Sequence, residues 1–213
     1  MQLTIREPGS ALTHFIACLM AAVAASPLIM KAQTGMTTAA VAIFAVSMIL
    51  LYGASTLYHS VNVTGKVLSV FRKIDHMMIF VLIAGSYTPV CLIALGGSTG
   101  YSLLALVWGI AIAGMFVNVL WITCPKWVSS IIYIAMGWLC LLVFGTLWST
   151  LPHAAFGWLL AGGIIYTIGG VIYALKLPVF NALHKNFGSH EIFHLFVMGG
   201  SICHFIFMYF YIA

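Results

Sequence analysis

Eight histidines set against three acidic residues is an uneven inventory for a chain of 213 residues, and several of the histidines fall at spacings that matter. His190 and His194 stand four apart, as do Ser55 and His59. On a helix, residues i and i+4 share a face roughly 6 Å apart. Two imidazoles so placed, joined by a third from another helix, supply three nitrogen ligands and leave a fourth tetrahedral position open, the pattern of a catalytic zinc site. His59 is the candidate third ligand. A neutral, hydrogen-bonded histidine cluster fits the same spacing, and at this level the two readings stand side by side. Asp75 suits a place just outside such a metal, where it would orient water and take its proton. Ser55, one turn from His59, can donate to that carboxylate or to a developing oxyanion. The plainer reading of Asp75 is an interfacial ion pair with Arg72 or Lys73.

The segment His190-Glu191-Ile192-Phe193-His194 also reads as H-E-x-x-H, in which the glutamate is the general base of a metalloprotease. The motif is short, and no second acidic residue lies inside an apolar stretch to serve as a carboxylate ligand. His204, ten residues past His194 and ~15 Å further along a helix axis, reads as a hydrogen-bonded packing residue. His153 and His184 read as solvated side chains in connections, and Gly199 and Gly200 as points of close helix approach. His14 and His76 receive no role.

The elements that must position these residues follow from composition. The chain is 63% hydrophobic and 5% charged with mean hydropathy +1.15, whereas a soluble domain carries about 25% charged residues. A water-facing globule is excluded; the solvent is lipid. A hydrocarbon core needs ~20 apolar residues of helix. On that rule the chain divides into seven spans, at about 12–30, 36–58, 77–97, 101–123, 127–148, 154–175 and 192–213, forming one all-α transmembrane domain over 1–213. The runs are continuous rather than alternating in polarity, which excludes a β-barrel. The net charge of +5 is spread singly or as the pair Arg72–Lys73, so no stripe for nucleic acid exists. Five cysteines without a C-x-x-C read as small hydrophobes.

Positive residues orient the bundle. With the N-terminus cytoplasmic, Arg6, Lys66, Arg72, Lys73, Lys126, Lys176 and Lys185 fall inside and Lys31 alone outside, so the C-terminus is expected outside. A rival treats the first span as a signal peptide cleaved near Ala25; against it, the apolar stretch runs on through that point to Met30 and Glu7 precedes it. The topology brings Thr13-His14, Ser55 to His59, Asp75-His76 and His190 to His194 to one depth on the cytoplasmic side.

Three stretches carry a family resemblance: Ala54-Ser55-Thr56-Leu57-Tyr58-His59-Ser60; Arg72-Lys73-Ile74-Asp75-His76-Met77-Met78-Ile79-Phe80 through Gly85-Ser86-Tyr87-Thr88-Pro89; and His190-Glu191-Ile192-Phe193-His194 through Ser201-Ile202-Cys203-His204-Phe205. In this order they resemble the hemolysin III family, bacterial relatives of the progestin and adipoQ (adiponectin) receptors, grouped with alkaline ceramidases. The leading Glu7 to His14 segment is similar as well, with Ser10 where the family pattern has Asn. The resemblance implies a seven-helix bundle in the bacterial inner membrane, zinc held by His59, His190 and His194, and Asp75 and Ser55 acting on water beside it. Glu191 is no part of the shared pattern, which argues against the protease. The expectation is a zinc-dependent hydrolase of a lipid amide or ester, with membrane lipid as partner and a part in lipid homeostasis. A zinc-stabilised membrane sensor is the alternative, ahead of a membrane-damaging haemolysin or a channel.

Overall fold

The computed structural model describes residues 5–121, 125–175 and 187–213, apart from the side chain of Lys126. Expectations placed on Cys124, the Lys126 side chain, Lys176, Lys185, His184 and the connection at 178–181 lie outside the described residues. Pro8 opens α1 (Pro8–Lys31) at a position where its missing N–H would be unpaired anyway. Thr34 begins α2 (Gly35–Ser60) by accepting the Thr37 N–H at 3.1 Å. The remaining elements are α3 (Gly65–Pro89), α4 (Gly97–Leu120), α5 (Lys126–Gly137), α6 (Phe144–Thr150), α7 (His153–Leu175) and α8 (Ser189–Phe207). Among the described residues, seven helices are long and apolar enough to cross a membrane; the fifth combines α5 and α6 through a 3₁₀ stretch, Trp138–Val143. The chain is an all-α, multi-pass membrane protein.

The third span departs from the apolar run at 77–97: its helix begins twelve residues earlier, at Gly65. Hydropathy marks where lipid starts, not where hydrogen bonding starts, so polar turns carrying Lys66, Arg72 and Lys73 extend the same helix. Lys73 reaches the Val119 carbonyl at 2.7 Å, near the end of α4, a snorkelling contact in place of an ion pair with Asp75. After Pro89, which has no N–H to give the ladder, the span continues as a π-helix through Leu95. Gly96 and Gly97, at φ 60° and 52°, then turn the chain into α4.

In the fifth span the 3₁₀ segment breaks the regular ladder inside lipid, where an unpaired backbone group costs several kcal/mol. Tyr87 of α3 repairs it: its hydroxyl donates to the Gly137 carbonyl at 2.6 Å and accepts the Cys140 N–H at 2.9 Å. A Tyr87→Phe variant should therefore lose about 1–3 kcal/mol for each group left unpaired. The expected reading is a lowered thermal unfolding midpoint in detergent; an unchanged midpoint would refute the role of the phenol.

Packing runs α1 on α2, α2 on α3, α3 on α4 and α7 on α8, with α1 also meeting α8. Small residues set these distances. A Cβ on Gly85 would meet Ser47 Oγ at 2.4 Å, one on Gly200 the Tyr166 ring at 2.8 Å, and one on Gly162 the His204 ring at 2.3 Å. At Gly199 the nearest atom, of Ile165, is 3.4 Å away. The main core joins Phe44, Met48, Leu51, Tyr52, Leu147, Val197 and Phe207. Outward-facing side chains such as Leu120 (85% exposed), Met30 (81%) and Val23 (75%) are the lipid-facing belt. Cys18, Cys91, Cys140 and Cys203 are free thiols. α1 runs unbroken through Ala25, and one face of its first turns, with Ser10 and His14, is buried in the site described next.

Candidate metal centre

The C-terminal turn of α2 and the N-terminal turns of α1 and α8 meet at one end of the bundle, with the lower part of α3 beside them. His59, His190 and His194 each offer a ring nitrogen there, and the three nitrogens lie within 4.8 Å of one another. Ring centroids are 4.9 Å apart for His59–His190, 5.2 Å for His59–His194 and 4.6 Å for His190–His194. His59 and His194 are fully buried and His190 partly so. The His59 and His190 Nε2 atoms face each other at 3.2 Å. Two imidazole nitrogens bound at about 2.0–2.1 Å to one tetrahedral ion stand about 3.3 Å apart. The pair is therefore at coordination spacing, and three neutral imidazoles suit zinc and its first-row neighbours. The residues present could hold such an ion.

His59 and His194 each have a neighbour on the far side. The His59 Nδ1 is hydrogen-bonded to the Glu7 carboxylate, and the Glu7 N–H bonds the His59 carbonyl at 3.0 Å. That hydrogen bond from His59 holds the Glu7 carboxyl down at about 2, against partial burial that pushes it up; Arg6, 3.4 Å away, adds to the lowering. Thr13 Oγ1 lies 3.1 Å from His194 Nδ1. His14 stacks flat on His194, 3.5 Å between centroids and 10° between planes. Sequence reasoning gave Glu7 and Thr13 no part in the site and left His14 without a role. The available signal was the i, i+3, i+6, i+7 spacing of Glu7, Ser10, Thr13 and His14 along one face of α1.

Asp75 and Ser55 are both buried, and the Ser55 hydroxyl lies close enough to lend Asp75 a hydrogen bond. Among the described residues the ion pairs within 4 Å are Arg6–Glu7 and His59–Glu7, so the ion-pair reading of Asp75 is not what the geometry shows. Instead Asp75, Ser55, His190 and His194 line a common cavity of about 180 Å³. Its walls are mainly apolar, among them Leu51, Ile79, Leu82 and Phe156, and it extends along the span to His204. His76 and Arg72 also line it. His204 is buried, with Nε2 3.3 Å from the Leu159 carbonyl. His153, expected in a connection, is instead the first residue of α7; it is exposed, with its ring tilted 31° from that of Trp148 at 4.7 Å.

Glu191 points elsewhere. Its carboxylate accepts the Gly188 N–H at 2.8 Å, closing the first turn of α8, and accepts the Ser10 hydroxyl from α1. One bond on each oxygen turns the carboxylate toward Gly188 and Ser10, the place of a helix cap and not that of the base in an H-E-x-x-H protease. A Glu191→Gln variant is expected to keep its full metal content while losing about 1 kcal/mol of stability through the weakened cap. Loss of metal on that single change, measured in folded protein, would reinstate Glu191 as part of the centre.

Over residues 3–205 the chain matches the family model described as Haemolysin-III related. It is 38% identical over 214 residues to "Hemolysin-3" of Bacillus cereus, covering 99% of this chain and 94% of that protein. It is 37% identical over 212 residues to the "Hemolysin-3 homolog" of Bacillus subtilis, covering 98% and 95%. A shorter likeness, 35% over 60 residues, connects it to the "Adiponectin receptor protein" of Drosophila melanogaster, covering 27% of this chain and 14% of that receptor.

Proposed function

This chain belongs to the haemolysin-III related family, and on that premise we propose that it is a zinc-dependent hydrolase of a lipid amide or ester, embedded in the bacterial inner membrane with its N-terminus cytoplasmic. The observation that carries the reading is the meeting of three imidazoles, two of which, His190 and His194, line a largely apolar cavity together with a buried carboxylate and a serine hydroxyl. His59, His190 and His194 would hold the ion. Zinc in such a site supplies Lewis acidity, which activates water near neutral pH and polarises a carbonyl. Asp75 would receive the proton that water gives up as it attacks. Ser55 orients that carboxylate or donates to the oxygen on which negative charge develops. The cavity walls accept an acyl chain, and its lipid-embedded position favours a membrane lipid that arrives without crossing water. Turnover there would adjust membrane lipid composition.

The experiment is hydrolysis of acyl amides and acyl esters by the purified protein, with products followed by mass spectrometry, before and after chelation and after zinc is restored. Product that disappears with chelator and returns with zinc is the expected result. A second reading rests on the ligands themselves: they come from α2 and α8, so an ion would pin early and late spans together without any reaction. In that sensor, chelation lowers the unfolding midpoint while no product forms under any condition. The haemolysis named for the Bacillus cereus relative would be the better account if protein freed of vesicles lysed red cells.

A further inference from the structure

The first two turns of α1 touch the histidine cluster at more points than packing requires. Glu7 stands at the N-cap position of α1, ties its own N–H to the His59 carbonyl at 3.0 Å and accepts the His59 Nδ1–H on its carboxylate. Two turns on, Thr13 Oγ1 sits 2.9 Å from the Ser10 carbonyl and 3.1 Å from the Gly9 carbonyl, where its single hydrogen is spent. With that hydrogen on a backbone carbonyl, the Thr13 oxygen accepts from His194 Nδ1, 3.1 Å away. A carboxylate likewise has no hydrogen to give. With those acceptors, the hydrogen of His59 and of His194 sits on Nδ1, which leaves a lone pair on each Nε2. His59 Nε2 is the atom that faces His190. His14 lies against the flat of the His194 ring, and neither of its own nitrogens has a hydrogen-bond partner. It acts as a slab that limits rotation of the ligand ring. Ser10, bonded to Glu191, fixes the start of α8 to the same helix.

We infer that Glu7 and Thr13 are positioning residues of the centre: by accepting from the Nδ1 of His59 and His194, they lock two of its three imidazoles in the tautomer that presents Nε2 to a metal ion. This rests on the metal reading proposed above, but the tautomer itself is a property of the metal-free protein.

Two measurements separate the claims. In protein labelled with ¹⁵N-histidine and stripped of metal, imidazole nitrogen shifts should report His59 and His194 as Nδ1–H forms. Thr13→Val, nearly isosteric, should return His194 to a mixture of tautomers, and Thr13→Ser should restore the single form. Zinc affinity, measured by competition with a chromophoric chelator, should fall about 10- to 100-fold in Thr13→Val and in Glu7→Met, which keeps the length of the side chain without its acceptor, with Thr13→Ser close to the parent. The cobalt(II) spectrum of each loaded variant then checks that the ligand set is retained. Parent protein showing Nε2–H forms, or affinities unchanged in both variants, would overturn the inference and leave the metal reading intact. Parent protein that binds no zinc while showing the Nδ1–H forms would sink the metal reading and keep the tautomer lock.

Discussion

An Asp75→Asn variant is expected to lose at least about 100-fold in kcat for a lipid amide or ester, the lower end of what a positioned acid–base group contributes, with its metal content unchanged. Asparagine matches aspartate in shape and keeps an acceptor for the Ser55 hydroxyl, so the buried pair is not emptied. It cannot take up the proton released by attacking water. Turnover under saturating acyl amide, read alongside metal analysis of the same preparation, separates the two properties. Equal turnover in the variant would refute the role given to Asp75. Loss of metal together with turnover would make Asp75 a holder of the ion instead.

The second large effect concerns the ion itself. Replacing His190 and His194 by alanine removes the two candidate ligands of α8 and leaves His59 alone, too few donors to compete with water. Metal should fall from about one ion per chain, the stoichiometry of a single tetrahedral centre, to background, and the response of the unfolding midpoint to chelator should vanish with it. The substitution opens space at the cavity mouth, so part of the midpoint is expected to be lost even without metal. For that reason the decisive comparison is chelator against no chelator within the variant. A double variant that keeps its ion would relocate the centre to other residues.

The pieces of the site that sequence made legible are those governed by local periodicity. Four-residue spacing puts His190 over His194 and Ser55 over His59 whatever else the protein does. Alternation of inside and outside then brings those helix ends to one depth together with Asp75. Nothing local says which way α1 is rotated about its axis, and the places of Glu7, Thr13 and His14 depend on that rotation. Their contacts cross between elements 52 and 181 residues apart in the chain, beyond the reach of any pattern read within one helix. H-E-x-x-H misleads for the converse reason: its spacing is real, but the Glu191 side chain turns back to Gly188 and sideways to Ser10. The start of α3 was hidden because hydropathy follows the solvent, while a helix follows its hydrogen bonds into the headgroup region.

The phenol of Tyr87 carries a consequence for assembly. It satisfies the loosened backbone of the fifth span from a helix made 50 residues earlier. The fifth segment, bent as it is, becomes compatible with hydrocarbon only when the third already stands alongside. A chain delivered to the bilayer from its N-terminus meets that requirement in the order of its synthesis: each earlier helix is in place as a template before the segment that leans on it leaves the ribosome.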